Sequence, residues 1–188
     1  MKKKTFVIAL CLALVVAFAA GGAIAWLTDT TDPVTNTFTV GNIDITLAET
    51  TTDYKMIPGN TIAKDPKVTV KAGSEACWLF VKIEESDNLD TYISYTVATG
   101  WTQGDGTDIP ANVYYRSVDA VTADTDYAVL ADNKVTVKDT VTKADMDTIT
   151  ATPPTTSAPT IAPTLTFTAY AVQAAGSSTA AEAWAKIG

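Results

Sequence analysis

Cys77-Trp78-Leu79-Phe80-Val81-Lys82-Ile83 is apolar at every position but one. A short, nearly continuous apolar run rich in β-branched and aromatic residues reads as a central strand covered on both faces. Working outward, Ala72-Gly73-Ser74 before it is a turn, and Lys67-Val68-Thr69-Val70-Lys71 before that alternates apolar and polar residues. Period-two alternation suits a strand with one face buried. Pro58-Gly59-Asn60 is a further turn signal, following Tyr54 to Ile57. Nearer the N-terminus, Val34 to Val40 and Ile43 to Leu47 alternate on either side of Gly41-Asn42. That dipeptide is a hairpin turn or a bulge within one long strand.

On the other side of the opening stretch, Ile93-Ser94-Tyr95-Thr96-Val97 alternates. Trp101 to Pro110, with Gly104 and Gly106, reads as a loop. Val113 to Val118 is the next strand. Tyr127 to Leu130 and Lys134 to Lys138 follow, with Ala131-Asp132-Asn133 as a hairpin loop between them. Thr142 to Ile149 forms a short helix, with Thr142 as N-cap and Asp145 three residues on. The segment 152–163 holds four prolines and no charge, which makes it a stiff surface loop. Leu165 to Val172 returns to alternation. Ser177 or Ser178 caps a last short helix, Thr179 to Lys186. Short strands at steady spacing specify an all-β fold, an antiparallel β-sandwich of jelly-roll type with one or two short helices, spanning residues 26–188.

The first 25 residues are of another kind. Met1-Lys2-Lys3-Lys4 is positive, Phe6 to Ala20 is apolar, and Gly21-Gly22 precedes Ala23-Ile24-Ala25. Small Ala23 and Ala25 suit signal peptidase, with the cut falling before Trp26. The alternative is an uncleaved membrane anchor, for which the apolar run is short. This places the protein outside the cell, touching the membrane only through an uncut signal. Residues 1–25 hold three of the 13 basic residues and none of the 21 acidic ones. The remaining ten basic residues leave the mature chain at −11. So acidic a chain excludes nucleic acid as a partner.

There is no histidine in the 188 residues. Ser-His-Asp, Cys-His and His-based zinc chemistry are thereby excluded, and no catalytic, cofactor or metal residue is assigned. Cys11 leaves with the signal, so Cys77 has no partner in its own chain and reads as a small buried residue. Asp29 with Asp32, and Glu84, Glu85, Asp87 and Asp90, are acidic pairs and clusters that a solvated surface accounts for. Trp78 lies in the central strand and reads as core. Trp101, beside Gly100, is the candidate exposed aromatic for a carbohydrate; Trp184 sits in the last helix.

Two stretches resemble a known family. Gly21-Gly22-Ala23-Ile24-Ala25-Trp26-Leu27-Thr28-Asp29, followed by Asn36-Thr37-Phe38-Thr39-Val40-Gly41-Asn42-Ile43-Asp44-Ile45, is similar to the export signal and first strand of TasA/camelysin-like proteins. Pro58-Gly59-Asn60 through Lys64-Asp65-Pro66 to Val81-Lys82 resembles a second segment of the same proteins. The resemblance spans roughly the first 45% of the chain. It implies export through a signal peptidase of the SipW type. It also implies a jelly roll that self-associates into fibres of a Gram-positive biofilm matrix, each subunit donating its N-terminal strand to the next. Here that strand lies within Trp26 to Thr46, with Phe38, Val40, Ile43 and Ile45 on its apolar face. The alternative is that the segment pairs within its own domain, in a secreted carbohydrate- or surface-binding module. The metalloprotease label of camelysin-like proteins does not carry over, because no His-Glu-x-x-His is present.

Overall fold

The computed structural model describes residues 41–50, 54–150 and 162–187, all within one compact unit, Val40–Gly188. The cleavage residues Ala23, Ala25 and Trp26, the pair Asp29 and Asp32, the strand residues Phe38 and Val40, and most of the proline-rich loop lie outside the described residues. The rest is mostly β: ten strands in three antiparallel sheets, with few short helices.

The longest strands surround the stretch read as central. Strand β4 (Cys77–Glu85) lies inside a four-stranded sheet, between β10 (Leu165–Gln173) and β7 (Val113–Val118), with the two-residue β6 (Thr102–Gln103) beyond β7. A second sheet has β3 (Lys67–Val70) flanked by β1 (Ile45–Ala48) and β8 (Thr125–Ala128). The third has β9 (Lys134–Val137) between β2 (Thr61–Ala63) and β5 (Ile93–Ser94).

Both faces of β4 are covered, as its continuous apolar run requires. On one face Cys77, Leu79, Val81 and Ile83 share a cluster with Val68 and Val70 of β3, Val118 and Val129. On the other, Phe80 packs with Ile109, Val113, Ala180 and Ala183. The last two belong to helix α3 (Ala180–Trp184), which lies over the sheet. A third cluster, around Tyr92, Val137 and Val141, packs against Ile62, Met146 and Ile149. It joins α1 (Leu89–Tyr92), the third sheet and α2 (Lys143–Thr150). Cys77 is fully buried and free, and burial pushes its thiol pKa up.

Local chemistry explains the turns and caps. Gly59 adopts φ +75°, open to glycine without strain, and the turn closes with the Asn60 amide donating to the Ile57 carbonyl at 3.0 Å. At α2 the Asp145 amide donates to Thr142 Oγ1 at 3.3 Å. The Thr142 amide donates back to Asp145 Oδ2 at 2.8 Å. This reciprocal pair satisfies two N-terminal amides. Thr142→Ala is therefore expected to destabilise by about 1 kcal/mol in urea titration; no measurable change would mean that the cap is idle.

Several expectations are corrected. The segments around Ala131–Asn133 are not a hairpin, since β8 joins β3 while β9 joins β2 and β5. Buried Val129 and Leu130 carry the chain from one sheet to another. Asp132 and Asn133 make the turn at φ 53° and 51°, a region that Asp and Asn tolerate. The strand expected over Ile93–Val97 shrinks to Ile93–Ser94 plus a bridge from Val97 to Leu130. The Trp101–Pro110 loop contains β6. Its Asp105 Oδ1 accepts the amides of Thr107, Asp108 and Ile109 at 2.8, 3.0 and 3.2 Å. The cap of the last helix is neither serine: Thr179 Oγ1 accepts the Glu182 amide at 3.2 Å.

Those three amides hold the Asp105 carboxyl below its usual pKa, the Thr107 bond foremost. A carboxyl with a lowered folded pKa stabilises above its unfolded value, ordinarily about 3.9, and that stability is lost as pH falls through the lowered value. Asp105→Asn should therefore unfold with a shallower acid dependence below about pH 4. Identical acid profiles for the two proteins would refute this role for the loop.

Candidate functional site at an open sheet edge

Strand β10 is nine residues long and pairs on one side only, with β4. Its register fixes which backbone groups are used. The Ala174 amide donates to Ala76 at 2.8 Å at one end of the ladder, and the Ser86 amide to Thr164 at 3.0 Å at the other. Hydrogen-bonded pairs alternate in an antiparallel ladder, so Thr166, Thr168, Tyr170 and Val172 bond to β4. Leu165, Phe167, Ala169, Ala171 and Gln173 then turn their N–H and C=O groups away from it. Among the described residues no strand pairs with that row.

The core thins toward the same edge. Cys77, Leu79, Val81 and Ile83 of β4 are at most 2% exposed. Leu165, Phe167, Ala169 and Ala171 pack against the same cluster, yet each is only half-buried. Two adjoining hollows, of about 390 and 330 Å³, run beside the N-terminal half of β10 and share Lys64, Leu165 and Thr166. Leu47 of β1, 37% exposed, lines the second.

One buried cation sits in this groove. Lys64 Nζ is 2.7 Å from Glu49 Oε1, which also accepts the Tyr54 hydroxyl at 2.7 Å. The ammonium lies 4.8 Å from the Tyr54 ring centre and 5.4 Å from that of Phe167. Burial, then the bond to Glu49, pushes the Tyr54 hydroxyl far up, so it remains a donor. The Lys64–Glu49 pair neutralises the charge in a groove whose lining mixes apolar residues with Thr164, Thr166 and Tyr54.

At the far end, β1 is approached by Gly41, where a Cβ would collide with the Gln173 amide and the Glu75 carboxylate. Ile43 and Ile45 pack on the main core. The Asn42 and Asp44 carbonyls accept the Glu75 and Lys71 amides at 3.0 and 2.9 Å, and Ile45–Ala48 pairs with β3. Ile43 and Ile45 are thus packed and paired within their own domain.

At the edge strand β8 a side chain takes up a backbone acceptor. The Trp101 indole donates to the Ala128 carbonyl on β8 at 2.9 Å. The Arg116 guanidinium lies 5.6 Å from the Trp101 ring centre and 4.4 Å from that of Tyr127. Trp101 is therefore half-buried rather than exposed, because its polar end is spent on a sheet edge and its face on a cation. Trp78 is half-buried, with its indole donating to Ser177 O at 3.1 Å. In the acidic stretch, Glu84 pairs with Lys82 at 2.7 Å and Glu85 accepts the Tyr95 hydroxyl. Among the described residues no group of three or more Cys, Asp or Glu side chains is placed to hold a metal ion.

Nothing in the alternating pattern of Leu165 to Val172 distinguished an edge strand from an inner one. The only signal was the proline-rich stretch before it, which separates β10 from the strand preceding it in the chain. Compared with protein-family models, curated proteins and solved structures, the chain matches none.

Proposed function

We propose that this chain is a non-enzymatic structural subunit, exported on residues 1–25 through a SipW-type peptidase, that polymerises in the extracellular matrix or on the cell surface. In this reading the fold is a β-sandwich of jelly-roll type related to TasA/camelysin-like proteins. Residues 26–40 of one copy add to the free edge of β10 in the next. The supporting observation is the outward row of backbone groups on Leu165, Phe167, Ala169, Ala171 and Gln173 beside a half-covered core. A nine-residue edge flanked by half-buried apolar residues is a template for another strand, and backbone bonds supply the affinity. Val34-Thr35-Asn36-Thr37-Phe38-Thr39-Val40 has the alternation to fill it, presenting Val34, Asn36, Phe38 and Val40 to one side. The absence of histidine supports a structural rather than a catalytic role.

Negative-stain microscopy of the protein beginning at Trp26 is the test. Fibres that disappear when residues 26–40 are removed, with the shortened chain still folded, are the expected result. A chain that stays monomeric over a range of concentration, pH and salt overturns the reading.

A further inference from the structure

We infer that a hollow on the Tyr95 and Tyr114 side of the molecule binds a saccharide carrying a free amino group, independently of strand donation. Two open depressions, of about 480 and 410 Å³, meet there and share Glu85, Tyr95 and Tyr114. Both tyrosines are half-buried, so their rings form walls with a fixed setting. Tyr95 is anchored through its hydroxyl to Glu85, and both rings pack on the main core. Rigid aromatic walls suit the C–H faces of a sugar ring, and a few convergent polar groups then fix its hydroxyls. Gln103 and Asn112 line the second depression. The Gln103 amide nitrogen is spent on the Ala111 carbonyl at 2.8 Å, which turns its oxygen into an oriented acceptor.

The charges select among saccharides. Asp90 lines the first depression and its carboxylate makes no hydrogen bond or ion pair among the described residues. Lys138 reaches only the Asp90 backbone carbonyl. Glu85 commits one oxygen to Tyr95 and keeps the other. Neither depression is lined by Lys or Arg. A uronic acid or phosphorylated sugar would meet two carboxylates and no cation in the lining, the Lys138 ammonium being held on the Asp90 backbone carbonyl. An ammonium gains both carboxylates. The net charge of −11 on the chain beginning at Trp26 favours the approach of the same class of polymer.

Calorimetry on the chain beginning at Trp26 tests this with three probes: glucosamine oligomers, their N-acetylated counterparts and cello-oligomers. Glucosamine oligomers are expected to bind, more weakly as salt rises. The Glu85→Gln/Asp90→Asn double variant should lose roughly tenfold in affinity or more while unfolding at the same temperature. An Asp119→Asn/Asp139→Asn double variant, which removes two exposed acids elsewhere, should bind as the parent does. The inference fails if glucosamine oligomers do not bind, if both double variants bind alike, or if the uncharged oligomers bind equally tightly.

Discussion

Ala169→Pro is expected to leave a folded monomer and abolish polymerisation, whereas Thr168→Pro, one position away, unfolds the chain. The two residues differ in where their amides point. Thr168 pairs with Lys82 in a hydrogen-bonded position of the β10–β4 ladder. Proline there removes a ladder hydrogen bond at the middle of β10 and forces its ring against β4, a position where proline is not accommodated. Ala169 points its amide to the free edge, where proline is tolerated within a sheet. The folded chain loses no backbone hydrogen bond, but an incoming strand loses its middle donor and meets the ring instead. Circular dichroism and sedimentation velocity separate the outcomes. If both variants polymerise, the free edge of β10 is not where subunits meet.

Phe80→Ala should cost about 3–5 kcal/mol, close to the range in which a domain of ordinary stability fails to fold at 37 °C. Phe80 is fully buried on the face of β4 that α3 covers. Its ring lies 5.2 Å from Trp184 and 6.2 Å from Tyr115, centre to centre, and Tyr170 meets Trp184 edge-on at 5.7 Å. Removing it leaves a cavity under a five-residue helix too short to hold its shape alone. Urea unfolding should show the loss, and the near-ultraviolet aromatic signal should weaken even where the variant remains folded. A cost below about 1 kcal/mol would mean that α3 does not depend on this cluster.

How much of this was legible before the structure follows from what periodicity encodes. It reports which faces of a strand are buried, so β4 was readable as doubly covered and Val113–Val118 matches its strand end to end. It does not report which strands are neighbours. The Ala131–Asn133 turn therefore passed for a hairpin, although Val129 and Leu130 send β8 and β9 to different sheets. Tyr95 passed for a strand residue because its hydroxyl bond to Glu85, ten residues away, is invisible in a local pattern. Trp101 was read as exposed because its neighbours Gly100 and Gly104 are loop-formers. Its actual partners, Ala128 and Arg116, are distant in sequence. The groove was missed for the same reason: Glu49, just past β1, Lys64, just past β2, and Leu165 on β10 are far apart in sequence and meet only in the folded chain.

Hydrogen exchange of β10, resolved by residue and compared between monomer and polymer, tests the central claim most directly. The amides of Thr166, Thr168, Tyr170 and Val172 should be protected in both states. Those of Leu165, Phe167, Ala169, Ala171 and Gln173 should exchange quickly in dilute monomer and become protected in the polymer. Protection of the second set already present in the monomer, or absent from the polymer, would contradict strand donation to this edge.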